Sequence, residues 1–146
     1  MKLRRSITIR AAGDKIWPFL VEPEQIMKWC TPVSIIRHTG TQRGGLRTPF
    51  YFEERAAGRV MKLHFIVTEW DLYRSVAFKM TSGNFVKSYG QRYTIETVLS
   101  GSRCTCYEDV TLPYGILGKF AGLFRRITSN RLLDNMLLNL KKAAEA

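Results

Sequence analysis

A chain of 146 residues, with 45% apolar and 12% aromatic residues, has the length and composition of one folded domain, so a single domain over residues 1–146 is expected. Its formal net charge is +11, and the basic residues are scattered along the chain instead of forming a block. No zinc spacing, helix-turn-helix pattern or RNP-like aromatic motif accompanies them, which argues against a sequence-specific nucleic-acid reader; the charge favours either simple solvation or an anionic partner such as membrane headgroups or nucleic acid.

The chain opens with one predicted strand and two short predicted helices. The segment "LRRSITIR", residues 3–10, alternates apolar and polar residues as a half-buried strand does. Asp14 is expected to cap the first helix, which Pro23 ends. The second helix is predicted over residues 24–29. Its inward-facing side chains are predicted to be Ile26, Met27 and Trp29.

Further strands are predicted between the second helix and residue 113. Each segment is rich in β-branched or aromatic residues, and the short connections between segments contain Gly, Ser, Asn or Asp. Short connections favour antiparallel neighbours. The predicted strands are residues 33–38, 46–55, 59–70, 75–80, 88–99 and 103–113.

A long amphipathic helix is predicted to close the chain. After Pro113 and Gly115, apolar residues recur at three- and four-residue steps from Ile116 to Leu140, which is the period of a helix. The segment "TSN", residues 128–130, is a weak point at which a bend is expected. A strand, two short helices, six strands and a helix make an α+β chain and not a wound α/β one.

Cysteine usage and the absence of an export signal predict a cytoplasmic protein. The cysteines are Cys30, Cys104 and Cys106, an odd number, and the last two share a strand face without disulfide geometry. Free buried thiols fit a reducing compartment. The first residues lack the continuous apolar stretch of a signal peptide, and no segment approaches the ~18 apolar residues of a membrane span.

The segments "ITIRAAGDKIWPFLVEPEQIMKW", residues 7–29, and "GILGKFAGLF" with "LLDNMLLNLKKAAEA", residues 115–124 and 132–146, carry a family resemblance. They resemble the START-like superfamily, also called SRPBCC, and within it the polyketide cyclase/dehydrase-like group. The resemblance implies a helix-grip fold: a seven-stranded curved antiparallel sheet around a long C-terminal helix, with the two short helices after the first strand closing one end. It also implies a cavity between the sheet and the long helix.

Strand parity assigns a mostly apolar set of side chains to the concave face of such a sheet. They are Phe50, Phe52, Met61, Leu63, Phe65, Val67, Val76, Phe78, Met80, Tyr89, Gln91, Tyr93, Ile95, Cys104, Cys106, Glu108, Val110 and Leu112. One helix cannot fill a concave sheet unless the side chains are very large, and voids lined by apolar groups with a few polar ones are typical ligand pockets. The alternative is that phenylalanines fill the space, namely Phe50, Phe52, Phe65, Phe78, Phe120 and Phe124.

The predicted ligand-binding set combines inner-face aromatics, polar groups and two residues of the long helix. It consists of Trp29, Phe50, Phe52, Leu63, Phe65, Phe78, Tyr89, Gln91, Tyr93, Cys106, Glu108, Phe120 and Phe124. Trp29 is expected to shape the pocket entrance, whereas Trp17 and Trp70 are expected to pack structurally. The side chains of Tyr89, Gln91 and Tyr93 could place hydrogen-bonding groups against a ligand, although tyrosines at strand spacing are also ordinary core residues.

Glu108 is the candidate catalytic residue, because strand parity places it inward beside Cys106 and Val110. A buried carboxylate is costly unless it is paired or neutral. Glu108 could pair with an inward arginine, bind the hydroxyl or amine of a ligand, or act as a general base with a raised pKa. The structural alternative is a bulge that turns it outward.

No metal site and no cofactor are predicted. His38 and His64 lie on different predicted strands without a partner at ligand spacing, and His64 has the outward parity. The segment "GTQRGG", residues 40–45, is a turn and not a phosphate-binding loop. The sequence contains no recognisable Ser–His–Asp set and no recognisable pair of carboxylates.

The leading functional hypothesis is a protein that binds a hydrophobic or amphipathic small molecule, such as a lipid, an isoprenoid or a polyketide-like compound. One alternative is a cyclase or dehydratase that works without a metal, with Glu108 as base and Tyr89 or Tyr93 as proton donors or enolate stabilisers. Another is a basic interaction protein for an anionic partner. The sequence leaves the identity of the ligand, the presence of catalysis and the oligomeric state open.

Overall fold

The structure is a computed structural model that describes residues 1–56, 58–112 and 129–146. The chain forms a curved antiparallel sheet whose concave face is covered by a C-terminal helix, which is the helix-grip fold. The elements in chain order are β1 (Lys2–Ile9), α1 (Gly13–Val21), α2 (Pro23–Ile26), β2 (Val33–His38), β3 (Pro49–Ala56), β4 (Arg59–Asp71), β5 (Ser75–Gly83), β6 (Ser88–Val98), β7 (Gly101–Thr111) and α3 (Asn130–Glu145).

The seven strands lie in the order β1-β7-β6-β5-β4-β3-β2, and every neighbouring pair is antiparallel. The register shifts twice along the β4–β5 ladder, between His64 and Phe65 and between Val67 and Glu69. Because extra residues on one strand bend it and increase its twist, these irregularities help to curve the sheet toward α3.

Strand parity predicts the concave face correctly. Of the inner-face set, Met80, Gln91 and Leu112 are half-buried, and the other members are buried. The helix α3 covers this face with its own apolar stripe. The buried members of that stripe are Leu133, Met136, Leu137 and Leu140. The main core therefore lies between the sheet and α3, where each fully buried aliphatic side chain contributes roughly 1.5–3 kcal/mol.

The start of α1 differs from the prediction. The residue at the N-cap position is Ala12, and no side chain caps the helix; Asp14 lies within the first turn instead. An acidic side chain there still interacts favourably with the positive end of the helix dipole. The indole ring of Trp17 packs edge-on against Trp70, with 5.1 Å between ring centroids, so these two residues hold α1 against the end of β4 as expected.

The second helix is shorter than predicted. It ends at Ile26, and the backbone turns that follow leave Met27 41% exposed, so the prediction that Met27 faces inward is wrong. Trp29 is buried as predicted, and its indole N–H donates to the carbonyl oxygen of Phe19 over 2.7 Å. This hydrogen bond ties the end of the helical segment to α1.

The predicted helix from Ile116 onward does not run unbroken through Ser129. Ser129 is extended, with φ −79° and ψ 143°, and its side-chain oxygen accepts from the backbone N–H of Leu132 over 3.0 Å. Serine favours this N-cap geometry over a helix interior, which explains why α3 begins at Asn130. Residues 113–128, which include Phe120 and Phe124, lie outside the described residues.

An ion pair joins α3 to the edge strand β1. The guanidinium of Arg5 makes two hydrogen bonds of 2.7 Å to the two carboxylate oxygens of Asp134. The helices in the described parts of the chain include none that is long and apolar enough to cross a membrane.

Candidate ligand-binding site

A small cavity lies between the concave face of the sheet, the segment after α2 and the first turns of α3. Its volume is about 30 Å³, which holds about two water molecules. Apolar side chains from α1, α2, α3 and the segment that enters β2 form one wall: Leu20, Ile26, Pro32, Val33, Leu132 and Met136. Aromatic side chains and polar groups form the other: Trp29, Cys30, Phe52, Glu54, Phe78, Tyr89, Gln91, Tyr93 and Glu108.

Aromatic rings fill much of the remaining concave face. Phe52 and Phe65 lie edge-on with 5.0 Å between ring centroids, and Phe65 contacts Tyr89 at 5.5 Å. Phe50 joins the cluster through Phe52, with 6.1 Å between ring centroids, and also contacts Phe78 at 5.6 Å. Phe50, Phe52, Phe65 and Phe78, four of the six phenylalanines in that alternative, therefore occupy part of the space, and the cavity is far smaller than the roughly 300–1,000 Å³ of a ligand pocket for drug-sized molecules.

The predicted ligand-binding residues divide into three groups. Those that line the cavity are Trp29, Phe52, Phe78, Tyr89, Gln91, Tyr93 and Glu108. Those that pack in the surrounding core are Phe50, Leu63, Phe65 and Cys106. Phe120 and Phe124 belong to the part of the chain that is not described.

Glu108 on β7 points inward, and its side chain is part of a hydrogen-bonded strip. It is 5% exposed, and its Oε1 accepts from Nε2 of Gln91 over 3.1 Å. The same amide nitrogen donates to the hydroxyl oxygen of Tyr89 over 3.2 Å. Burial raises the pKa of Glu108 to about 7, although the hydrogen bond from Gln91 opposes the shift. The β6–β7 register is regular here, so no bulge turns Glu108 outward.

Glu54 on β3 is a site residue that sequence reasoning missed. Its carboxyl lines the cavity and is 8% exposed, and neither oxygen has a hydrogen-bond partner among the described residues. Burial, and then the charge of Glu108, raise its pKa to about 8. The alternation that selects Phe50 and Phe52 continues to Glu54, so strand parity carried the signal. Glu54 and Glu108 lie on strands that are distant in sequence, so no motif in the sequence marks them as a pair.

Trp29 and the two tyrosines complete the wall. Trp29 is only 2% exposed, so it forms part of the interior wall and not an entrance. The indole N–H of Trp29 already donates to the carbonyl oxygen of Phe19, so only its ring face and edges contact other residues of the wall. The ring packs edge-on against Tyr93, with 6.2 Å between ring centroids. Burial raises the pKa of both Tyr89 and Tyr93 well above the usual value, so both remain neutral hydroxyls.

The cavity contains no reactive thiolate or histidine among the described residues. Burial, followed by the charges of Glu54 and Glu108, raises the pKa of Cys30 well above its ordinary value, so its thiol stays protonated. His64 is exposed, as its parity predicted, whereas the ring of His38 packs on Phe50 with 4.7 Å between centroids. The polar chemistry of the cavity therefore rests on the two carboxyl groups.

The carboxyl groups of Glu54 and Glu108 have pKa values of about 8 and about 7, close to neutrality. Such groups can donate a proton in the acid form or accept one when ionised, which is the range useful for general acid–base chemistry. None of the described residues that line the cavity is a lysine or an arginine. The arrangement can therefore hold an apolar molecule and present two titratable groups to its polar part.

A family model described as polyketide cyclase/dehydrase and lipid transport matches residues 1–145. No curated protein matches the sequence. The solved structure of TTHA0849 from Thermus thermophilus is 17% identical, with a TM-score of 0.81 over 99% of this chain and 97% of that one.

Two further solved structures share the fold. The Zhui aromatase/cyclase from Streptomyces sp. R1128 is 14% identical, with a TM-score of 0.81 over 99% of this chain and 93% of that one. A START superfamily protein from Mycobacterium smegmatis is 14% identical, with a TM-score of 0.72 over 99% and 94% of the two chains. At these identities the likeness concerns the fold alone.

Proposed function

Because this chain belongs to the polyketide cyclase/dehydrase and lipid transport family, we propose that it binds a hydrophobic or amphipathic small molecule between the sheet and α3. Lipids, isoprenoids and polyketide-like compounds are the candidate classes. One observation carries the proposal: an apolar cavity contains a carboxyl group, on Glu54, that has no hydrogen-bond partner among the described residues. Burial raises the pKa of this carboxyl to about 8, and a ligand that donates a hydrogen bond to it would stabilise it in place of solvent.

Binding must widen the cavity, because about 30 Å³ is too small for a lipid or a polyketide. Leu132 and Met136, on the first turns of α3, contribute the part of the lining that comes from this helix. Methionine is unbranched and adaptable, so this part of the lining can repack at modest cost. We propose that the ligand enters by displacing these two side chains.

The test uses a fluorescent hydrophobic probe, anilinonaphthalene sulfonate, followed by competition with fatty acids, isoprenoid alcohols and aromatic polyketides. Met136→Trp should fill the cavity and weaken binding by about tenfold or more, the equivalent of about 1.4 kcal/mol. Leu138→Trp is the matched control, because Leu138 lies on the same helix and is 47% exposed. Leu132→Phe repeats the test with a smaller change if Met136→Trp melts at a lower temperature.

The proposal fails if no competitor displaces the probe, or if Met136→Trp binds as tightly as Leu138→Trp. Native mass spectrometry of the purified protein provides an independent check, since a bound molecule adds its mass to the intact chain.

A second candidate is acid–base catalysis of a cyclase or dehydratase type on the bound molecule. The two carboxyl groups with pKa values near neutrality favour it. We propose Glu108 as the base, with the neutral hydroxyl of Tyr89 or Tyr93 as proton donor. Turnover of a poly-β-ketone substrate by the wild type and by Glu108→Gln tests this role, and equal turnover would remove Glu108 from the mechanism.

We also propose a cytoplasmic location and a single domain over residues 1–146. Free, buried Cys30, Cys104 and Cys106 suit a reducing compartment, and the family match to residues 1–145 suits one domain. The +11 charge suits an anionic partner such as membrane headgroups or nucleic acid. Binding to anionic vesicles or to nucleic acid that disappears steeply with added salt would support a partner, and salt-independent behaviour would contradict one.

A further inference from the structure

The carboxyl of Glu54 indicates that the described part of the cavity lacks a hydrogen-bond donor for its acidic groups. Glu54 is 8% exposed and lines the cavity, yet neither of its oxygens receives a hydrogen bond from the described residues. Glu108 uses one oxygen to accept from Gln91, and no described residue donates to its other oxygen. The polar side of the cavity therefore offers several acceptor positions that nothing in the described parts of the chain satisfies.

The charged side chains among the described lining residues are all acidic. Two carboxyl groups face the same small space, and the described lining residues include neither a lysine nor an arginine. The charge of Glu108 contributes to the raised pKa of Glu54, so the two groups interact. An anionic ligand would bring negative charge to carboxyl groups whose own ionisation burial already disfavours, whereas a cation would allow both carboxyl groups to ionise and would relieve their repulsion.

A protonated amine satisfies this wall better than a neutral hydroxyl does. An ammonium group has three N–H donors and no acceptor, whereas a hydroxyl has one donor. Hydrogen bonds between an ammonium and a carboxylate are roughly twice as strong as neutral ones. The aromatic rings of Trp29, Tyr89 and Tyr93, which also line the cavity, can attract a cation further through their π faces.

We propose that the cavity selects a ligand whose polar end is a protonated amine, held between Glu54 and Glu108 with its apolar part against α3. This inference rests on the proposed function, since it specifies the ligand class of the same site. The neutral part of the ligand occupies the space that Leu132 and Met136 vacate.

The test compares three probes that share one ring: benzylamine, benzyl alcohol and benzoate. Binding to the full chain at pH 7 is followed through chemical-shift changes in two-dimensional NMR spectra and through calorimetry. Benzylamine should bind about tenfold or more tightly than benzyl alcohol. A hydrogen bond between charged groups is stronger than a neutral one, and a difference of about 1.4 kcal/mol corresponds to a tenfold difference in affinity. Benzoate should not bind.

Proton release gives a second, independent measurement. The carboxyl groups should lose protons when the ammonium enters, so the calorimetric heat for benzylamine should depend on the ionisation enthalpy of the buffer. Among the described residues, the other titratable groups that interact with the carboxyls are Cys30, Tyr89, Tyr93 and Cys106, and the raised pKa of each keeps it protonated at pH 7. Released protons would therefore come from Glu54 and Glu108.

The matched variants are Glu54→Gln and Glu53→Gln. Glu54→Gln should reduce the preference for benzylamine over benzyl alcohol to about twofold or less. Glu53→Gln should leave the preference unchanged, because Glu53 is the adjacent residue on β3 and its side chain lies outside the cavity. Thermal melting establishes that both variants are folded.

The outcomes separate the two proposals. If benzyl alcohol binds as tightly as benzylamine, or if benzylamine binding releases no protons, the amine inference is wrong and the binding function stands. If none of the three probes binds and no competitor displaces the hydrophobic probe, the binding function itself is wrong, and the amine inference falls with it.

Discussion

Gln91 and Glu108 are direct register partners on β6 and β7, and the amide nitrogen of Gln91 donates to the Glu108 carboxyl over 3.1 Å. The same nitrogen also donates to the hydroxyl oxygen of Tyr89. One amide group therefore fixes the orientation of both neighbours before any ligand arrives. Tyr89, Gln91 and Glu108 therefore form a polar, hydrogen-bonded strip on a concave face that is otherwise mostly apolar.

Replacing Gln91 by methionine should raise the pKa of Glu108 further above about 7. Methionine has a similar volume but no N–H, so the carboxylate loses the hydrogen bond that favours its charged form while burial remains. A hydrogen bond to a charged group contributes about 1.5–3 kcal/mol, which corresponds to a shift of about one unit or more. The carbon-13 NMR titration of the glutamate carboxyl groups measures this directly.

The control for this variant is Gln25→Met, because Gln25 lies on α2 and its side chain is not part of the polar strip. A Glu108 titration that is unchanged, or moves to lower pH, in Gln91→Met would show that the hydrogen bond does not hold the carboxyl.

The glycine at the start of β7 supports the edge of the sheet. Gly101 has φ +144°, and a Cβ atom built there would lie 2.2 Å from the carbonyl oxygen of Ile9 on β1. Gly101→Ala should therefore cost more than about 2 kcal/mol in the free energy of unfolding, because the strand pair must separate. Urea denaturation measures the change.

Gly58→Ala is the comparison for this prediction. Gly58 also has a positive φ, of +74°, but no atom of the described residues lies within 4 Å of the added Cβ. Its cost should be limited to backbone strain, about 1 kcal/mol. Equal costs for the two variants would mean that the contact with Ile9 is not tight.

Strand parity predicted the inner face of the sheet and one of the two carboxyl groups of the site, whereas the helix-grip fold was implied by the family resemblance. Alternation on β6 and β7 identified Tyr89, Gln91 and Glu108, because a period of two fixes which side chains share a face. The same rule applies to Glu54, but the predicted inner face of β3 stopped at Phe52. Three strands lie between β3 and β7 in the sheet, so only its curvature brings Glu54 and Glu108 to one cavity, and alternation along a strand carries no information about curvature.

The size of the cavity could not be predicted from the pattern. It depends on the bulges along β4–β5 and on the ring orientations of Phe50, Phe52 and Phe65, which alternation does not determine. The prediction that Met27 faces inward was wrong for a related reason. It assumed that the helix continues past Ile26, where the chain in fact leaves the helix.

Packing of α3 against the sheet should dominate the stability of the C-terminal region. Leu140 is fully buried on the inner stripe of α3, whereas Leu138 is 47% exposed on the same helix. Leu140→Ala should lower the free energy of unfolding by about 2–5 kcal/mol, the usual cost of a cavity in a core. Leu138→Ala should change it by less than about 0.5 kcal/mol. Similar values for both in urea denaturation would contradict this packing of α3.

Glu54 should make the protein less stable as the pH rises. Its pKa is about 8 in the folded chain, against an ordinary value of 4.5. Below pH 4.5 the carboxyl is protonated in both states, so it imposes no ionisation cost. Between pH 4.5 and 8 the unfolded chain loses this proton and the folded chain keeps it, so the free energy of unfolding falls by up to about 1.4 kcal/mol per pH unit.

Glu54→Gln removes this dependence, so the variant should gain stability relative to the wild type between about pH 5 and pH 8, by a few kcal/mol in total. Urea denaturation at several pH values measures the difference, and Glu53→Gln is the control because its side chain lies outside the cavity. A pH-dependent gain as large in Glu53→Gln as in Glu54→Gln would contradict the assignment. No gain in Glu54→Gln would mean that the carboxyl ionises freely and that the cavity imposes no cost on its charge.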